Sequence, residues 1–137
     1  KLKLPVVQNR RWVPVVDADA VPVDGGVAVK YGNVQIAVFN CASRGEWYAT
    51  QNMCPHRQDM VLARGIVGDQ AGAPKVACPL HKKTFSLDTG ECLYGEGYSI
   101  ATFPVQVSAG MVYVELPPAD QLEPRLCKQH EHSEAAE

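Results

Sequence analysis

The chain has 137 residues, 46% of them hydrophobic and 20% charged, with a formal net charge of −2 at pH 7. That length buries one ordinary core and falls short of two. A chain with pI ≈ 6.1 has no global attraction for phosphate or anionic lipid, so neither a nucleic-acid nor a membrane partner is expected. No apolar run approaches the roughly 20 residues needed to cross a bilayer, and the start KLKLPVVQNRRW lacks the apolar stretch of a signal peptide. The expectation is a soluble cytoplasmic protein.

Along the chain the apolar period is two. WVPVV (12–16), GVAVKYG (26–32), NVQIAVFN (33–40), EWYATQ (46–51), PKVACP (74–79), TFSLD (84–88), YSIATFPVQVS (98–108) and MVYVEL (111–116) are short β-branched or aromatic runs that predict strands. Turn residues separate them at 24–26, 32–33, 44–45, 88–90 and 109–110. The pattern is all-β and predicts an antiparallel sandwich or small barrel.

Two segments break the rhythm. Residues 51–83, QNMCPHRQDMVLARGIVGDQAGAPKVACPLHKK, alternate little and predict an inserted, loop-rich subdomain standing off the main sheets, with its metal-ligating residues outside the core. GDQAGAPK within it reads as a hairpin. After Leu116 the sequence PPADQLEPRLCKQHEHSEAAE turns polar; Pro118 either opens a short helix through Leu122 and Leu126 or starts an arm. The expected organisation is one domain over 1–116, with its subdomain at about 51–83 and a tail at 117–137.

The cysteines and histidines are unevenly placed. Five cysteines is an odd number without the spacing of a secreted disulfide framework, which suits a reducing compartment. Cys41 ends the apolar run VQIAVFNC and reads as a small buried hydrophobe, and Cys92 in TGECL reads similarly. Cys127 lies near His130 and His132 in the polar tail, where nothing fixes a metal geometry. The remaining two cysteines each share a short Pro-containing loop with a histidine: CPH at 54–56 and CPLH at 78–81. Cys54, His56, Cys78 and His81 together make a four-ligand set. Zinc commonly takes two cysteines and two histidines, but its usual motifs pair Cys with Cys and His with His. One Cys and one His from each loop better suit a two-iron cluster in which the cysteines bind one iron and the histidines the other.

C-x-H followed by C-x-x-H resembles the Rieske [2Fe–2S] signature, and the short-strand pattern up to about residue 116 resembles the Rieske fold. More narrowly, RGIVGDQ, KVACPLHKKTFSLDTGECL and FPVQV with GMVYVEL resemble the small subunit of assimilatory NAD(P)H-dependent nitrite reductase, or the equivalent C-terminal domain of its fused form. The resemblance implies an electron-transfer subunit of an enzyme that reduces nitrite to ammonium. It also implies a large partner subunit carrying FAD, sirohaem and a [4Fe–4S] cluster. Ligation by two neutral imidazoles leaves the cluster less negative than four thiolates would, so the type spans about −150 to +300 mV against about −400 mV for plant-type ferredoxins.

Some features depart from other branches of the resemblance. Rieske proteins of respiratory complexes add a clamping cysteine to each loop, where this chain has Asp59 and Leu80, so the soluble ferredoxin-like branch is implied. Lys82 stands where ferredoxins of the family usually have glycine. Some nitrite reductase small subunits lack the ligands, whereas this chain has all four. Arg57, Lys82 and Lys83 follow the ligands directly and suggest a basic collar for an acidic partner. Neither GxGxxG nor GK[ST] is present, and Asp88 in SLDTGE reads as a turn cap rather than an acid. Catalytic residues are therefore expected only in the partner. A free-standing Rieske ferredoxin serving an oxygenase and a zinc-stabilised binding module are the competing expectations.

Overall fold

The structure, a computed structural model, describes residues 11–42, 44–55, 59–70, 72–79, 83–93, 99–119 and 122. Its strands are β1 Arg11–Asp17, β2 Gly25–Tyr31, β3 Val34–Cys41, β4 Glu46–Gln51, β5 Met53–Cys54 and β6 Asp59–Met60, then β7 Ile66–Gln70, β8 Ala73–Ala77, β9 Thr84–Ser86, β10 Thr102–Phe103, β11 Val105–Ser108 and β12 Met111–Leu116. They pair antiparallel in the orders β1-β12-β11, β10-β4-β3-β2, β5-β6 and β7-β8-β9. The all-β, antiparallel expectation holds. No helix among the described residues is long and apolar enough to cross a membrane.

β3 organises the interior because both of its faces are covered. Ile36 and Val38 point into one apolar group with Ala49, Phe103, Val112, Val114 and Leu116. Ala37, Phe39 and Cys41, the alternate set, point into a second group with Leu62, Val76, Phe85, Leu87 and Ile100. Side chains alternate across a strand, so a strand buried on both faces reads as the near-continuous apolar run VQIAVFNC. Cys41 is 1% exposed, as its position predicts, whereas Cys92 is only half-buried against the second group.

The run read as one strand over 98–108 is divided at Pro104. β10 pairs with β4 and β11 with β12, so the chain changes sheets at the residue that has no N–H to continue a ladder. The Pro104 carbonyl still accepts from the Glu115 amide at 3.0 Å. The hairpin expected around GDQAGAPK is β7–β8, with Gly72 at φ +85 in its turn. RGIVGDQ supplies its first strand, which the alternation did not reveal.

Two further expectations are corrected. The 51–83 segment does not stand clear of the sheets: Leu62, Ala63, Val76 and Cys78 pack on the second face of β3. At 86–89 the Ser86 hydroxyl accepts from the amides of Asp88 and Thr89, both at 3.1 Å, so Ser86 caps the turn that Asp88 was expected to cap. Past Leu116, Tyr31 donates to the Pro117 carbonyl at 2.6 Å and Leu122 bonds back to Pro118 at 3.1 Å. Leu122 is 1% exposed in the first apolar group, so the chain after Pro118 is anchored there. Leu126, Cys127, His130 and His132 lie outside the described residues.

Candidate metal centre

Each candidate cysteine opens a short loop whose neck is closed by backbone pairing. β5 pairs with β6 in the register Cys54 to Asp59 and Met53 to Met60, closing the chain over residues 55–58. Cys78 follows β8, and its amide donates to the Lys83 carbonyl at 2.8 Å, closing the chain over 79–82. Both loops enclose the same number of residues, with proline directly after the cysteine, and His56 and His81 belong to them by sequence. His56, Arg57, Leu80, His81 and Lys82 lie outside the described residues.

Cys54 and Cys78 are both fully buried and belong to one apolar group with Ala37, Phe39, Leu62, Val76 and Phe85. The expectation that the ligands lie outside the core is thus corrected for the two cysteines. The physical reason is the second face of β3, which provides an apolar floor for both loops. Soft thiolate ligands held away from water are the donor chemistry that iron–sulfur clusters take.

Cys41 is a poor alternative. Burial, followed by the charge of Asp24, pushes the Cys41 thiol up to about 11 and keeps it protonated. Among the described residues no three His, Cys, Asp or Glu side chains gather into a metal-binding group.

Two supporting constellations were not legible as functional residues. At the tip of β3–β4, Arg44 donates from Nε to Glu46 Oε1 at 2.8 Å, and from Nη1 to Asp69 Oδ1 at 3.2 Å and the Gly72 carbonyl at 3.0 Å. Tyr48 donates its hydroxyl to Glu46. That donor, with Arg44, holds the Glu46 carboxyl below its ordinary range, while burial and the bond to Glu46 push Tyr48 up to about 12. Beside Cys54, Gln51 and Asn52 are 0% and 1% exposed. The polar pair QN directly before MCPH was the available signal.

An antiparallel β-protein with two proline-marked cysteine loops on one apolar floor has the form of an iron–sulfur domain. Residues 11–115 match the Rieske-like [2Fe–2S] domain family, and the chain belongs to that family. It is 40% identical over 121 residues to the nitrite reductase [NAD(P)H] of Emericella nidulans, covering 82% of this chain and 11% of that protein. To the nitrite reductase (NADH) small subunit of Escherichia coli K12 it is 29% identical, over 74% of this chain and 94% of the relative. The solution structure of the nitrite reductase [NAD(P)H] small subunit from Erwinia carotovora superposes with a TM-score of 0.68 at 36% identity, covering 80% of this chain and 84% of the other. The chain therefore spans about a tenth of its relative from Emericella and nearly the whole of the bacterial small subunits. The cofactor that goes with the family is a Rieske [2Fe–2S] cluster, and the two buried thiols fit it.

Proposed function

We propose that Cys54, His56, Cys78 and His81 hold the [2Fe–2S] cluster. On this reading the chain transfers electrons as the small subunit, or the equivalent C-terminal domain, of a cytoplasmic NAD(P)H nitrite reductase that converts nitrite to ammonium. The observation that carries the proposal is the pair of equal loops, each opened by a fully buried cysteine and seated on one apolar floor. When bound, the cluster supplies reversible uptake of one electron. The chain holds the cysteines away from water with Phe39, Leu62 and Phe85, and closes each loop with backbone pairing.

Domain organisation follows the same reading: one domain over 1–116, a cluster-binding subdomain at about 51–83 and a tail at 117–137. A one-electron carrier accepts no hydride and cannot complete a six-electron reduction, so a large subunit with FAD, sirohaem and a [4Fe–4S] cluster starts and finishes the reaction. The docking face is the end of the molecule that carries the two loops. Arg57, Lys82 and Lys83, which follow the two histidines in sequence, bring positive charge to the loops. Met60, next to the residue paired with Cys54, and Ile66, paired with the residue before Cys78, add apolar surface at 42% and 73% exposure.

The test begins with optical and EPR spectra of aerobically purified protein, with iron and zinc counted. Two irons per chain are expected; zinc instead would identify a zinc-stabilised module. Cys54→Ser and Cys78→Ser should lose iron, and Cys41→Ser and Cys92→Ser should keep it. The Lys82→Glu, Lys83→Glu double variant should weaken binding to the large subunit, most at low salt, and lower NAD(P)H-dependent nitrite reduction in parallel. Full physiological activity without this chain would overturn the nitrite reductase reading, leaving a ferredoxin for an oxygenase as the alternative.

A further inference from the structure

Gln51 ends β4 and Asn52 leads into β5, so the pair immediately precedes Met53–Cys54. Two amide side chains buried at 0% and 1% exposure need a partner for every polar atom. Each amide finds both. Gln51 Nε2 donates to the Met53 carbonyl at 2.6 Å, and Gln51 Oε1 accepts from the Ala101 amide at 2.8 Å. Asn52 Nδ2 donates to Gln35 Oε1 at 2.8 Å, and Asn52 Oδ1 accepts from the Ala63 amide at 2.7 Å. The Met53 carbonyl can only accept, and the Ala101 and Ala63 amides can only donate. The orientation of both side-chain amides is therefore set by the backbone groups they meet.

The backbone of the pair makes three more links: Gln51 N to Ala101 O at 3.0 Å, Asn52 N to Gln35 O at 2.9 Å and Leu62 N to Asn52 O at 3.1 Å. Asn52 thereby joins three places in the chain. It is bound twice to Gln35 on β3 and twice to the 3-10 turn Leu62–Arg64, and it stands two residues before Cys54. Leu62 and Ala63 pack in the same apolar group as Cys54 and Cys78. An ordinary strand end needs no such junction. Its effect is to fix both ends of the Cys54 loop, the entry through Asn52 and the exit through Leu62 and Ala63, to one point on β3.

We propose that Asn52 is a positioning residue for the cluster: through its bonds to Gln35 and Ala63 it sets the Cys54 loop against β3, with Gln51 bonded to the Met53 carbonyl. The inference rests on the ligand reading above. It assigns to Asn52 no contact with the metal and no part in electron transfer.

The test compares holoprotein variants by iron release to a chelator, by the EPR g-values and by amide exchange at Ala63. Asn52→Leu keeps the size and removes both side-chain bonds. Iron release should be at least about 10-fold faster, the g-values should shift, and exchange at Ala63 should rise about 10- to 100-fold, as expected for losing a buried hydrogen bond. Exchange in β2–β4 should stay unchanged. Asn52→Asp keeps the acceptor for the Ala63 amide and should fall between wild type and Asn52→Leu in all three readouts. If Asn52→Leu fails to fold, Gln35→Met decides the matter. It removes only the acceptor of Asn52 Nδ2, leaves the loop sequence intact, and should speed iron release about threefold. Iron release and g-values within error of wild type in the variants that fold, even with a lowered melting temperature, would overturn the inference alone. Wild-type protein without iron, or Cys54→Ser protein that retains it, would overturn the ligand reading and the inference with it.

Discussion

Arg44 Nη1 lies 3.2 Å from Asp69 Oδ1, joining the tip of the β3–β4 hairpin to the β7–β8 hairpin 25 residues later in the chain. The same nitrogen donates to the Gly72 carbonyl at 3.0 Å, so one guanidinium holds two points of the second hairpin. β8 leads directly into Cys78, which makes this surface tether relevant to the site.

Arg44→Ala should therefore raise amide exchange within β7–β8 about 3- to 10-fold while changing global unfolding little. The reason is that the Arg44 and Asp69 side chains are 26% and 53% exposed and their attraction is screened by water and salt. Exchange measured in high salt should show a smaller difference between wild type and variant. Unchanged exchange in β7–β8 would show that the apolar packing of Val76 holds the hairpin alone.

Alkaline pH should destabilise the protein in two overlapping windows. Cys41 is raised from 9.0 to about 11 and Tyr48 from 10.0 to about 12. Each folded-state value lies above the unfolded one, so the stability each group contributes is complete below its ordinary value and is lost as pH rises through the folded one. Denaturant midpoints should fall between pH 9 and 12. Cys41→Ala should flatten the lower part of that fall and Tyr48→Phe the upper part. Glu46 has the opposite sign: its carboxyl is held below 4.5, so its contribution is present above that value and fades as acid titrates the folded form.

The β11–β12 turn contains a position open to improvement. Ser108 pairs with Met111, leaving Ala109 and Gly110 as a two-residue loop with φ +53 and +79. Positive φ at both positions is the geometry that favours Asn-Gly, and alanine in the left-handed region is disfavoured. Ala109→Asn should stabilise the fold by about 0.5–1 kcal/mol, measured by equilibrium unfolding, with the cluster spectrum unchanged.

Gly90 should tolerate no side chain. It has φ +86, and a Cβ there would run into the Ile100 carbonyl oxygen. The Ile100 amide meanwhile bonds to the Gly90 carbonyl at 2.7 Å, which prevents the two segments from separating. Gly90→Ala should cost about 2 kcal/mol or more, combining left-handed strain with the clash. Loosening should be greatest at 84–93, as read by amide exchange.

Much of the chemistry was written locally. CPH and CPLH mark two candidate Cys–His loops because ligand chemistry depends on residue type and short spacing, and the alternation in WVPVV, NVQIAVFN and MVYVEL declares strands because side chains alternate every residue along extended chain. Tertiary structure decided what those strands and loops meet. It buried Cys54 and Cys78 on the second face of β3, divided 98–108 between two sheets at Pro104, and gave the turn cap to Ser86 rather than Asp88. It also made Gln51 and Asn52 buried junctions with Gln35, Ala63 and Ala101. Those outcomes depend on pairings between residues far apart in sequence, such as β1 with β12. A side chain's own identity cannot specify them, because whether an amide is solvated or buried depends on which distant backbone groups arrive to satisfy it.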